Sequence, residues 1–141
     1  MTGIAKTRIT AVRPAGPFDQ VVTVEGGKGT YRKTPCPGCP WVKDNDGAFP
    51  AEAFRHSAST AYDMSDRIFG CHESGTKKPA TCAGFLLQGA DHNLAIRLAY
   101  LRGRIDHDQL DHGERELHQS YVSMATANGV SPTDPVLGPC R

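Results

Sequence analysis

Two cysteines on a two-residue Pro/Gly turn, Cys36-Pro37-Gly38-Cys39, followed by Cys71-His72 and then Cys82, constrain this chain more than any other feature. A two-residue gap lets the Cys36 and Cys39 sulfurs point the same way, so that one ion takes both. The second pair is distant in sequence, and the fold has to bring it back. The spacing therefore predicts a metal-bound cross-link of Cys36, Cys39, Cys71 and Cys82. Zn2+ is the first choice, because four thiolates make a closed tetrahedral site that is structural in kind. A [4Fe-4S] cluster is the alternative, since ligand type alone does not separate two metals that both accept a sulfur tetrahedron. A redox dithiol at Cys36 and Cys39 is a third reading, although Pro40 and Trp41 stand where an oxidoreductase helix would continue. His72 is a possible alternative ligand or a donor to a ligand. Cys140 is a spare thiol, or a replacement ligand if the C-terminus folds back.

Composition supports a small fold that gains from such a staple. The 141 residues suit one domain, 1–141, yet only 38% are hydrophobic, with 15 Gly and 10 Pro. Sixteen basic and fifteen acidic residues leave a net charge of +1, unlike a strongly basic nucleic-acid binder. No apolar run is long enough to cross a membrane, and Met1 to Pro14 does not read as a secretory signal. A cytoplasmic location follows, where thiols stay reduced; five cysteines, an odd number, also disfavour a fully paired disulfide framework.

The fold class expected is α+β: short N-terminal strands, a central cysteine-ligated metal and two or three C-terminal helices. Thr7–Val12 and Val21–Val24 read as strands, with Glu25 to Gly29 as a hairpin tip. Pro50 fits the first position of a helix over Ala51–Ala58. Arg67–Phe69 reads as a strand delivering Cys71, Glu73–Ala80 as an exposed loop, and Thr81 as the start of a helix bounded by Gly89. Asp91 is the candidate N-cap of a helix whose Leu94, Leu98, Leu101 and Ile105 share one face, with Gly103 as its stop. Asp106 with Gln109, and Asp111 with Glu114, have capping-box spacing. Leu117, Tyr121 and Met124 form a second apolar stripe ending at Asn128-Gly129, and 131–141 reads as an extended tail.

Other side chains carry weaker signals. Arg32, Lys33 and Lys43, with Lys28, Lys77 and Lys78, surround the cysteine turn, and Tyr31 and Trp41 interleave with them. That mixture suits contact with a nucleic-acid backbone, against a solvated surface as the plainer reading. His92, His107 and His112 each follow an aspartate that has a capping role, and His56 and His118 read as helix-surface residues. A hydrolase using His72 with a metal-bound water requires an open ligand position.

Cys36-Pro-Gly-Cys39-Pro-Trp41, Phe49-Pro50, Phe69-Gly-Cys71-His72, Cys82-Ala-Gly84, Asn93-Leu-Ala-Ile-Arg97-Leu and Ala127-Asn-Gly129 together resemble a family of small proteins of bacteriophages and bacteria. The likeness runs from about Tyr31 to the C-terminus. It implies a phage or mobile-element origin and a cysteine site, with no activity attached, and it makes Arg97 and His72 the first places to look for a role beyond folding. The function expected is a non-enzymatic metal-binding accessory module engaging a host protein or nucleic acid; the alternative is an iron–sulfur or dithiol redox protein.

Overall fold

The β-branched run at Val21–Val24 favours extended backbone, and it lies in β2 (Gln20–Glu25), antiparallel to β1 (Arg8–Pro14). The computed structural model describes residues 8–14, 20–25, 30–71 and 80–141. Strand β3 (Arg67–Ile68) pairs with the far end of β2, Val24 opposite Ile68, giving the order β1-β2-β3. Pro14 closes β1 at the sheet edge, where its missing N–H costs no ladder bond. Lys28, His72, Glu73, Lys77 and Lys78 fall outside the described residues, as do the hairpin tip and most of the loop before Cys82.

From residue 30 onward the chain is mostly helical, with β3 its one short strand among the described residues. Four α-helices follow in order: α1 (Ala51–Ser57), α2 (Ala83–Gln88), α3 (Leu94–Leu101) and α4 (Tyr121–Ala127). Three of them follow Cys82, as the pattern predicted, and α1 lies between the two cysteine pairs. None is long and apolar enough to cross a membrane.

Helix boundaries depart from expectation for local reasons. Pro50 is the N-cap of α1 in extended conformation, one position ahead of its expected place. Asn93, not Asp91, caps α3: its Oδ1 accepts from Ile96 N–H at 3.1 Å while its Nδ2 donates to the Arg67 carbonyl at 2.7 Å. One buried amide thus caps the helix and ties it to β3. Asp106 starts only a 3-10 turn, His107–Gln109, and no helix follows Asp111; Gly113 and Glu114 both sit at positive φ there. Leu117 accordingly lies outside α4, bridged to Val42 in extended backbone.

The C-terminal segment is not an extended tail. Asp134 caps a 3-10 turn at Pro135–Leu137, Leu137 is buried, and the Arg141 N–H reaches the Ala61 carbonyl at 2.9 Å. Tyr62 donates to the Val136 carbonyl at 2.7 Å, and Arg55 pairs with Asp134 at 3.0 Å. Buried apolar surface at Leu137 and paired backbone groups give this segment a reason to fold back that its three prolines conceal.

The core is aromatic. Trp41 meets Phe69 and Tyr121 edge-on at 6.0 and 6.1 Å, and Phe69 stacks on Phe85 at 6.1 Å. Such pairs add about 0.5–1.5 kcal/mol each beyond their buried area. The Tyr121 hydroxyl donates to the Phe54 carbonyl at 2.6 Å and shares a hydrogen bond with Ser57, so its polar tip is satisfied.

Candidate metal centre

The Cys36 turn folds as its composition dictates. Cys39 N–H bonds the Cys36 carbonyl at 3.0 Å, and Val42 N–H bonds the Cys39 carbonyl at 3.1 Å, so two consecutive tight turns carry the chain into Trp41. Asn45 locks them from outside: its Nδ2 donates to the carbonyls of both Pro37 and Cys39, each at 2.9 Å. Nothing in the sequence singles out Asn45, because a lone asparagine six positions beyond a cysteine carries no visible signal.

The second cysteine pair is delivered by backbone pairing. Cys71 N–H bonds the Ala80 carbonyl at 2.6 Å, Cys82 N–H bonds the Phe69 carbonyl at 2.9 Å, and Gly70 bridges Thr81 between them. In an antiparallel ribbon this pattern sets Phe69 opposite Cys82 and Cys71 opposite Ala80, all on one face. Cys71 and Cys82 are then diagonal neighbours at about 7–8 Å between backbones, close enough for two thiolates to share an ion. Thr81 also exchanges backbone bonds with Thr30 and Arg32, which draws this ribbon to the segment leading into Cys36.

The sulfurs of Cys39 and Cys82, 43 residues apart, meet at 3.6 Å. Cys36 contacts the same Cys39 thiol. A tetrahedron with metal–sulfur bonds of about 2.3 Å has sulfur–sulfur edges of about 3.8 Å. The observed contact matches that edge and is far longer than a disulfide bond. Exposure of Cys36, Cys39, Cys71 and Cys82 is 5%, 0%, 5% and 1%. Contact with Cys36 draws the Cys39 thiol down, but its hydrogen bond to Cys82 together with burial outweighs this and holds it well above the ordinary thiol range. Among the described residues, no three or more His, Cys, Asp or Glu side chains stand as a ready coordination shell. What is gathered is Cys36, Cys39 and Cys82, with Cys71 buried on the ribbon that leads into Cys82.

Trp41 seals this set. A Cβ added to Gly84 would lie 2.5 Å from Trp41 Cβ and 3.2 Å from Cys39 Sγ, and one added to Gly89 would lie 2.4 Å from the far end of the indole. The ring therefore runs along α2 from one glycine to the other. Trp41 is held from behind by His118 N–H on its carbonyl at 2.9 Å.

Several expected site residues stand elsewhere. Trp41 is fully buried, so it presents no stacking surface between the basic residues. Arg32 and Lys33 are exposed, and Lys43 is engaged by Glu116 at 3.0 Å. Cys140 turns its thiol to the carbonyls of Ala58 and Val136 at 3.7 and 4.0 Å, which gives it a place apart from the other sulfurs; burial pushes it up to about 11. His118 is not on a helix surface. It is buried ahead of α4, with Nε2 on Asp46 at 2.7 Å and Nδ1 on Ser123 at 2.9 Å. This clasp fastens the turn after the Cys36 knuckle to α4. His56 pairs with Glu52 at 3.4 Å on α1.

Comparison with curated proteins and with solved structures finds no significant match. A family model does match, over residues 31–141, which spans both cysteine pairs, Trp41 and the helices described above. The chain belongs to that family, described as a family of unknown function, DUF6283.

Proposed function

We propose that Cys36, Cys39, Cys71 and Cys82 hold one metal ion, Zn2+, and that the protein is a non-enzymatic binding module whose fold this ion ties together. The observation that carries the reading is the 3.6 Å contact of Cys39 and Cys82 with Cys36 on the same thiol. Neutral thiols at this distance make only a weak S–H···S hydrogen bond, whereas a dication binds them as thiolates and supplies the charge that lets them deprotonate together. Their burial supports a structural ion, because none of these four thiols is more than 5% exposed. The same geometry weighs against the alternatives. A four-iron cluster spreads its thiolates around a cube of iron and sulfide, wider than a single-ion tetrahedron. A reactive dithiol needs an accessible thiolate, whereas Cys36 and Cys39 are both buried.

Elemental analysis with a visible spectrum on anaerobically purified protein tests this directly. The expected result is colourless protein with one zinc per chain. Brown protein that bleaches in air would favour the iron–sulfur alternative, and fully folded metal-free protein would remove the reading altogether.

A further inference from the structure

The apolar stripe of α3 faces outward. Ile96 and Ala99 are the buried positions of this eight-residue helix, and at 3.6 residues per turn Leu94, Leu98 and Leu101 stand on the opposite side. Leu98 is 36% exposed and Leu101 83%, the greatest exposure among the large hydrophobic side chains described. Arg97 flanks the stripe on one side and Arg102 on the other, both exposed. None of the ion pairs among the described residues involves Arg97, Arg102 or Arg104. At the start of the helix Met64, 56% exposed, is held in left-handed backbone with its N–H on the His92 carbonyl at 3.0 Å. A non-glycine residue held at φ 62° beside an exposed leucine row is a local cost that the surrounding contacts impose.

We propose that this leucine row with its flanking arginines is a docking face for an acidic amphipathic segment of another protein. Leucines at the centre want apolar contact, and exposed arginines at the rim, in no ion pair among the described residues, want carboxylates; one helical segment with apolar anchors and acidic flanks satisfies both. A helix of this length is about 12 Å long, which suits one short segment and not a broad interface. A nucleic-acid backbone would complement the arginines but set phosphates over the leucines. A second copy packed on α3 would bring two more arginines and no carboxylate from the helix itself. The proposal names the partner of the binding module above, yet it does not depend on the metal, so the metal analysis and the test below fail separately.

The test is selection of random peptides of about four helical turns, displayed against the purified full-length protein. Enriched peptides are expected to be acidic, with apolar residues at helical spacing. Leu101→Gln, a change at an exposed position, is expected to weaken them about tenfold, while circular dichroism and melting stay as in the wild type. The charge swap Arg97→Glu with Arg102→Glu is expected to enrich basic peptides instead. Neutral or basic peptides on the wild-type protein, indifference to Leu101→Gln, or an absence of enrichment would overturn the proposal. So would a duplex DNA probe whose binding is lost with the arginines but not with Leu101, or a wild-type dimer in sedimentation that Leu101→Gln splits.

Discussion

At the scale of single residues, the centre depends on groups that leave no mark in a cysteine pattern. Asn45 spends both Nδ2 hydrogens on the Pro37 and Cys39 carbonyls. Asn45→Asp replaces that donor with a carboxylate facing two carbonyl oxygens. The expected loss is about 2–3 kcal/mol of stability, read by chemical denaturation, with Asn45→Ala less damaging because it leaves no charge behind. Gly84→Ala drives a methyl into Trp41 and toward Cys39 Sγ. It is expected to cost about 1–3 kcal/mol by overpacking and to disturb near-ultraviolet circular dichroism, since the indole has nowhere to move. That the Cys36 turn and Cys82 meet was suggested by the sequence, because two thiols on a Pro/Gly turn point the same way and need a partner from elsewhere in the fold. Their supports were not: Gly84, Gly89 and Asn45 matter through what they touch across the fold, which no local pattern encodes. His118 was misread for the same reason. Its partners, Asp46 and Ser123, lie on either side of it in sequence and meet only through the tertiary structure.

At the scale of elements, periodicity located α3 without saying which way its leucine face turns, and it carried the face on to Ile105, which lies beyond the helix and is buried. Leu94, Leu98 and Leu101 do share a side, as their spacing requires, and that side is outward. The core takes Ile96 and Ala99 instead, because the Asn93 bond to Arg67 fixes how the helix rolls against β3. Leu101→Gln should therefore change stability by no more than about 0.5 kcal/mol, measured by urea unfolding; a loss typical of a core leucine would place this residue inside. The C-terminal segment was misjudged from its prolines, since a fold-back is sustained by burial at Leu137 and by Asp134. Backbone N–H of Val136 and then the Arg55 guanidinium hold the Asp134 carboxyl below the usual carboxylate range. Its contribution is thus present above the unfolded-state value, about 3.9, and is lost as pH falls through the lower folded value. Acidification below about pH 4 should loosen 131–141 first, and Asp134→Asn should loosen it at neutral pH. Amide exchange of Leu137 and Arg141 checks both, and unchanged protection would contradict the role given to Asp134.

At the scale of the whole molecule, strands, helices and one small domain were readable from residue types and spacing, and the matched family covers the helices and β3, with β1 and β2 ahead of it. What spacing could not supply was the depth of the centre. The thiols lie beneath an aromatic core and join a turn, a ribbon and a helix start, so the ion proposed here acts on the entire packing and not on one loop. Chelation should then cost cooperative folding, with loss of near-ultraviolet signal and release of the four buried thiols to a reagent that in the holoprotein reaches Cys140 alone. The most direct measurement is X-ray absorption at the metal edge of the purified protein. Four sulfur neighbours at about 2.3 Å are the predicted shell; nitrogen or oxygen ligands, or a folded protein with no metal edge at all, would contradict it.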